Sequence, residues 1–173
     1  MIPSRTSQIA GVIGRFADGG PILVQAASGL TPEAASARPG PGAWSPAEVI
    51  AHIVDTDLVL ADRMKRLIAE DSPTLQAFDE NAWIERLGSN EMPPEEAATL
   101  LAANRTWMTR VLRRLDEADF ARAGTHTVAG RVTLAEALAK AVNHMDHHLK
   151  FLYAKRAKLG LAIYPRYAGN PGF

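Results

Sequence analysis

Apolar residues recur along the chain at helical spacing, and two stretches open with a hydroxyl residue followed three positions later by glutamate. The first opening is Ser45 with Glu48, and Pro46 takes the first helical position, where its missing N–H is harmless. The apolar positions that follow fall on one face and are Val49, Ile53, Leu60, Met64 and Leu67. This pattern predicts a helix from Ser45 to about Ala69.

The second opening is Thr133 with Glu136, close to the end of the chain. Its apolar stripe consists of Leu134, Leu138, Ala141, Met145 and Leu152. One position on the same stripe is polar, and it is His148. We predict a helix that continues to about Lys155.

Two more long helices are predicted from the same periodicity. The N-terminal one carries apolar residues in phase at Ile9, Val12, Ile13 and Phe16. The other follows two prolines at 93 and 94, and its predicted apolar seam is Leu100, Trp107, Val111 and Leu115.

Two local features refine these predictions. Gly19, Gly20 and Pro21 are poor residues for a helix interior, so we expect the first helix to break there and to resume over residues 22–27. A short additional helix is expected from about Phe78 to Leu87. Alternation with a period of two is nearly absent, so no strand is predicted.

These elements together predict an all-α protein built as a four-helix bundle with one short extra helix. The connectors are too short to be interdomain linkers, and 173 residues fit one compact domain, so we expect a single domain over residues 1–173. The core of such a bundle can hold a cofactor or a metal ion between facing helices.

Composition narrows the possible functions. Nineteen basic and nineteen acidic residues give a net charge of zero, which argues against binding to nucleic acid or to an anionic membrane surface. The sequence has no apolar run of roughly 20 residues and no signal-peptide pattern, so we expect a soluble, cytoplasmic protein. The absence of cysteine excludes disulfides, thiol nucleophiles and cysteine-bound zinc.

Three of the five histidines lie within residues 143–148 of the last predicted helix. At about 100° per residue, His144 and His148 project roughly 40° apart and one turn from each other, so two imidazoles can bind one metal ion. His147 projects roughly 100° away from His148 and is expected on the bundle surface or in contact with a ligand.

A metal site that performs chemistry needs a third ligand, preferably from another helix. His52 is the first candidate, because it lies two turns into the helix that begins at Ser45, at the edge of the apolar stripe. His126 is the alternative, but it lies in a predicted loop beside Gly124, where its position would be less fixed. We therefore favour His52.

A histidine can also occupy such a position without binding a metal. Histidine pairs at this spacing arise by chance, and a buried histidine often satisfies a hydrogen bond. His148, however, lies on an apolar stripe, where an imidazole costs desolvation unless it is bonded. Asp55, one turn after His52, is the candidate catalytic residue, although aspartates on helices are usually only solvated. Trp44 is expected to pack beside the Ser45 cap.

Four motifs, at residues 38–55, 78–83, 126–130 and 143–149, occur in an order that resembles the DinB-like (DinB/YfiT) superfamily of bacterial metal-dependent proteins. The resemblance extends over nearly the whole chain. It implies an up-and-down four-helix bundle, frequently homodimeric, with a divalent metal held at one end by three histidines. The matching positions here are His52, His144 and His148, which agrees with the choice from helical phase.

Two positions depart from the family's pattern. Phe151 stands where relatives often carry glutamine, and Asp57 stands where glutamate is common. The family includes thiol-dependent transferases, a thiol-dependent isomerase and hydrolases, so the resemblance does not name one substrate.

The resulting hypothesis is a divalent-metal-dependent enzyme, either a hydrolase or a thiol-dependent S-transferase, that acts on a small molecule. Zn²⁺ is the expected metal, and Ni²⁺, Mn²⁺ or Fe²⁺ also suit three imidazoles. Without cysteine, the protein would need a low-molecular-weight thiol as a cosubstrate for transfer. The alternative is a non-catalytic bundle that binds a metal or a small ligand. No organic cofactor, nucleic acid or membrane partner is expected.

Overall fold

The structure is a computed structural model, and it describes residues 5–169. Its helices are α1 (Arg5–Ala27), α2 (Pro32–Ser36), α3 (Pro46–Ala69), α4 (Glu80–Arg86), α5 (Pro94–Leu112) and α6 (Leu134–Lys158). Short strands lie at β1 (Thr74–Leu75), β2 (Ala123–His126) and β3 (Gly130–Thr133). The predicted all-α four-helix bundle is confirmed, with α1, α3, α5 and α6 as its long helices. The predicted short helix is α4. Within residues 5–169, no helix combines the length and apolarity that crossing a bilayer requires.

The long helices do not pack in chain order. α1 packs against α5 and α6, and α3 packs against the same two helices from the opposite side. α5 runs antiparallel to α1, since the N–H of Gly29, two residues after the end of α1, donates to the carboxylate of Glu95 at the start of α5. α6 runs parallel to α1, since Arg156 near its end reaches the carbonyl of Ala26.

α3 and α5 run parallel to each other. Asp57 of α3 meets Arg105 of α5, while Ala51 and Ala97, earlier on the same two helices, line one groove. The long helices therefore run up, down, down and up. Between α3 and α5, residues 70–93 carry the chain back along the bundle. At this one connection, consecutive long helices therefore run in the same direction and do not alternate as in a simple up-and-down bundle.

Both predicted helix openings form capping boxes. The Ser45 hydroxyl accepts a bond from the backbone N–H of Glu48, and the Glu48 carboxylate accepts one from the N–H of Ser45 at 2.7 Å. Thr133 and Glu136 make the same reciprocal pair. These bonds satisfy amides that have no partner inside the helix. α3 ends at Ala69 as predicted, and α6 continues to Lys158, one turn beyond the predicted end.

The predicted break in the first helix is wrong, because α1 is continuous through Pro21. Gly19 and Gly20 are buried where α5 comes close. A Cβ at Gly19 would collide with the Arg105 guanidinium, and one at Gly20 would lie 3.0 Å from the Cα of Ala102. The glycines therefore serve helix packing rather than a chain break, and tertiary contacts override their poor helix propensity.

The seam predicted for α5 is also wrong at two of its four positions, whereas Val111 and Leu115 are partly buried. Leu100 and Trp107 are 51% and 60% exposed. The residues that α5 buries are Ala98, Leu101, Arg105, Met108, Thr109 and Leu112. Both sets have helical spacing, so periodicity alone does not distinguish them, and the correct face contains a charged residue that hydrophobicity assigns to solvent.

Arg105 lies at the centre of the bundle and links all four long helices. Its guanidinium donates to the carboxylate of Asp57 on α3 and to the backbone carbonyls of Phe16 on α1 and Ala141 on α6. Its carbon Cζ lies 4.6 Å from the centroid of the Phe16 ring. The second oxygen of Asp57 accepts a bond from Asn104 at 2.9 Å. This charged cluster is buried and fully hydrogen-bonded.

A small sheet contradicts the expectation that strands are absent. β1 pairs in parallel with β2, and β2 pairs in antiparallel register with β3. The hairpin between β2 and β3 turns at Gly130, whose φ of 74° favours glycine. Strands of two to four residues are too short for a period-two pattern to show in the sequence.

Candidate metal centre

Three histidines from two antiparallel helices meet at one end of the bundle. His52 is buried two turns into α3, the helix that begins at the Ser45 capping box. His144 and His148 lie one turn apart on α6. α3 and α6 pack directly against each other, so the two helices present these side chains to one point.

The three metal-facing nitrogens are close enough to share one ion. Nε2 of His52 lies 3.0 Å from Nε2 of His144 and 3.2 Å from Nε2 of His148. Tetrahedral coordination at metal–nitrogen distances of about 2.0–2.1 Å separates ligand nitrogens by about 3.3 Å. A single N–H on one Nε2 can donate to only one of the others, whereas a cation can bind all three. The donor set therefore fits a divalent metal ion.

The electrostatics also favour neutral, ligand-competent imidazoles. Burial, reinforced by the neighbouring imidazoles and Lys140, lowers the pKa of His144 to about 2 and that of His148 to about 4. Burial also lowers the pKa of His52, with a partly opposing effect from Glu80. Near pH 7 all three rings are consequently unprotonated, as metal binding requires.

Aromatic side chains flank the histidines. The ring of Trp44 lies 5.0 Å from that of His52 and stacks at 20° to that of His148, with centroids 6.4 Å apart. Phe151, half exposed on α6, lies 6.1 Å from His148. The packing role predicted for Trp44 therefore extends to the histidine site. In the sequence, Trp44 comes directly before the Ser45 cap and two turns before His52, and this position could have indicated that it lies near the histidine site.

Glu80 is a site residue that sequence reasoning missed. Its Oε2 lies 3.6 Å from Nε2 of His52, and its side chain is 53% exposed. It belongs to the motif at residues 78–83, but no spacing rule connects that motif to a histidine on another helix. Only the packing of α4 against α3 brings the two together.

The remaining candidate histidines lie elsewhere. His147 is exposed and contacts His148 edge to face at 5.0 Å, in keeping with its predicted surface position. His126 lies in β2, where its Nδ1 accepts bonds from the backbone N–H groups of Val128 and Ala129, and it is not part of the cluster.

Asp55, the predicted catalytic residue, is not a member of the histidine cluster. It lines a groove of about 420 Å³ between α3 and α5, together with Val54 and Leu100. Burial raises the pKa of its carboxyl. The carboxylate of Glu80 on α4 lies beside one of the three histidines, His52.

Comparisons with known proteins converge on one family. The DinB superfamily profile matches residues 17–152. A Bacillus licheniformis protein named "Putative metal-dependent hydrolase BLi00869/BLi00870/BL03027" is 28% identical over 140 residues, 80% of each chain. The Oceanobacillus iheyensis protein OB0413, which carries the same description, is 29% identical over 108 residues. That match spans 62% of its length, less than two thirds.

Two solved structures from Bacillus subtilis share the fold. YfiT, described as "a probable metal-dependent hydrolase with an unusual four-helix bundle topology", superposes with a TM-score of 0.84 at 25% identity. That alignment covers 94% of this chain and 92% of YfiT. The DinB-like protein YjoA superposes with a TM-score of 0.66 at 18% identity, covering 90% of this chain and 96% of YjoA, which shows similarity of fold alone.

Proposed function

The chain belongs to the DinB superfamily, and we propose that it is a metal-dependent hydrolase whose metal ion is bound by His52, His144 and His148. The observation that carries this proposal is the convergence of three Nε2 atoms from two helices. The names of the relatives from Bacillus licheniformis and Oceanobacillus iheyensis support the same class of activity.

Each residue of the site has a distinct task in this proposal. A divalent metal held by three protein ligands would keep a coordination position open, and it would acidify bound water and polarise a substrate oxygen there. The imidazoles hold the ion as neutral donors. The rings of Trp44 and Phe151 lie with their centroids 6.4 Å and 6.1 Å from that of His148, so a small-molecule substrate bound at the metal would meet apolar surface beside the site.

Zn²⁺ is the metal we propose, because it accepts three imidazoles without a strong geometric preference. Ni²⁺, Mn²⁺ and Fe²⁺ are the alternatives for the same ligand set. We further propose that residues 1–173 form a single domain and that the protein is a homodimer. Sedimentation velocity on the intact protein measures its oligomeric state and so tests the dimer.

The first test is metal content. Untagged protein purified without chelator is analysed by inductively coupled plasma mass spectrometry, as wild type, as the His144→Ala/His148→Ala double variant and as His147→Ala. We expect about one metal ion per chain in wild type and in His147→Ala, and none in the double variant, with helical circular dichroism retained in all three. A metal-free wild type that also takes up no added Zn²⁺, Ni²⁺ or Mn²⁺ would contradict the proposal.

The second test is activity. Hydrolysis of small aryl esters is measured with the metal present, after its removal by chelator, and after its restoration. We expect activity that disappears with the metal and returns with it, and that is missing from the double variant. A parallel assay supplies a low-molecular-weight thiol with an alkylating electrophile. Metal-dependent consumption of the thiol without ester hydrolysis would contradict the hydrolase and support the S-transferase.

A further inference from the structure

Glu80 brings a carboxylate to the metal-facing side of the histidine cluster. Its Oε2 lies 3.6 Å from Nε2 of His52, the nitrogen that the other two imidazoles also approach. Within residues 5–169, His52 is the only polar partner of this carboxylate. The Glu80 side chain is 53% exposed, so its carboxylate lies at the boundary between solvent and the histidine cluster.

The structure holds Glu80 in place through the first turn of α4. The Asp79 side chain caps this helix by accepting a bond from the N–H of Ala82 at 3.0 Å. The rings of Phe78 and Trp83 pack 4.6 Å apart across the same turn. The position of Glu80 is thus set by a capped and packed helical turn, not by a free loop.

The charge of Glu80 matters because the histidines contribute none. Three neutral imidazoles leave the full charge of a divalent cation uncompensated, and Glu80 supplies a nearby negative charge. Its oxygen is not among the ligand atoms that lie within 4.8 Å of one another, so it stands beside the three-histidine group, at its exposed edge. Carboxylates outside the ligand set commonly accept the other ring N–H of a ligand histidine, and their loss changes metal affinity by about 10–100-fold. Glu80 lies instead beside Nε2 of His52, so it would act on the ion through its charge.

We propose that Glu80 is an electrostatic component of this metal centre, which raises its affinity for divalent cations without being one of the three histidine ligands. This inference rests on the proposed function, because it requires that the histidine cluster bind a metal. It means that α4, which carries no histidine, contributes to metal affinity through Glu80.

The test compares Glu80→Gln with Glu85→Gln. Both residues are exposed glutamates on α4, and only Glu80 contacts a histidine. The dissociation constant for Zn²⁺ is measured by competition with a fluorescent chelator, at low and at high salt. We expect Glu80→Gln to bind Zn²⁺ at least tenfold more weakly at low salt and Glu85→Gln to stay within about twofold of wild type. The ratio between Glu80→Gln and wild type should shrink at high salt, because salt screens charge at an exposed site.

The outcomes separate this inference from the proposed function. A wild type that binds Zn²⁺ with a Glu80→Gln variant of equal affinity overturns the role of Glu80 and leaves the histidine site intact. An affinity loss that is independent of salt, or that Glu85→Gln shares, also overturns it. A wild type that binds no divalent metal overturns both.

Discussion

The bundle contains two polar clusters, one at its centre and one at its end, and they differ in how completely they are satisfied. At the centre, the Arg105 guanidinium finds acceptors on three other helices, and Asp57 finds donors for both its oxygens. At the end, three imidazole nitrogens face one another, and no arrangement of their protons lets all three bond to one another.

This difference separates a structural cluster from a binding site. A closed network of charges and hydrogen bonds holds helices in register and has no capacity left for a ligand. The three imidazoles at the end of the bundle, by contrast, have nitrogen lone pairs that a cation can bind. Burial alone does not distinguish the two, since Arg105 and His52 are both 1% exposed.

The comparison predicts that damage to the central cluster costs folding stability. Arg105→Ala leaves the Asp57 carboxylate buried beside only Asn104, and we expect unfolding free energy to fall by about 3–5 kcal/mol. Urea denaturation of metal-free protein measures this loss. Arg110→Ala, on the exposed face of the same helix, is the control and should change stability by less than about 0.5 kcal/mol. A small loss for Arg105→Ala would mean that the central cluster does not hold the bundle together.

Damage to the end cluster should instead remove metal binding. We expect His52→Ala to weaken Zn²⁺ binding by about a hundredfold or more, because it removes one of three ligands and the only one from α3. Isothermal titration calorimetry measures the affinity. His126→Ala is the matched control, since His126 is bonded within its own hairpin turn. Equal affinities in His52→Ala and wild type would remove His52 from the site.

The end cluster should also make metal-free protein sensitive to acid. The pKa of His148 falls from 6.5 in the unfolded chain to about 4 in the folded protein, so between these values the unfolded state binds more protons. Stability is therefore unaffected by this group above about pH 6.5 and decreases as the pH falls from there towards about 4. Thermal unfolding without metal, across this range, should show a shallower dependence on pH in His148→Ala than in wild type. An identical dependence would contradict the depressed pKa.

The smallest effect is expected outside both clusters. Trp107→Gln replaces a large aromatic residue that is 60% exposed, so we expect unfolding free energy to change by no more than about 0.5 kcal/mol. Chemical denaturation measures it beside Met108→Ala, where truncation of a fully buried neighbour should cost about 2–5 kcal/mol. A larger loss of stability in Trp107→Gln than in Met108→Ala would mean that α5 buries the face predicted from periodicity.

The sequence signals that succeeded are local ones. The capping boxes at Ser45 and Thr133 predicted where α3 and α6 begin, because their reciprocal hydrogen bonds involve residues only three positions apart. Helical phase placed His144 and His148 on one face for the same reason. Helical phase alone could not choose between His52 and His126. The choice of His52 used its place on a second predicted helix, and in the structure His52 lies beside His144 and His148.

The features that were missed depend on contacts between distant parts of the chain. Gly19 and Gly20 look like a break until Arg105 and Ala102 are packed against them. The buried face of α5 includes a charged residue whose partners lie on three other helices. Glu80 reaches His52 only because residues 70–93 return along the bundle. In each case the missing information is a partner far away in sequence, which no local pattern encodes.

The separation of the histidines along the chain has a consequence for folding. His52 and His144 are 92 positions apart, so an ion held by both would close a loop that spans more than half of the protein. The folded chain already holds the two rings together, so it would bind the ion without the entropy cost of closing a loop of this length, and the ion would favour the folded state. In a chain without cysteine, a bound cation would therefore act as a reversible cross-link between α3 and α6, one that a chelator opens and fresh metal closes again.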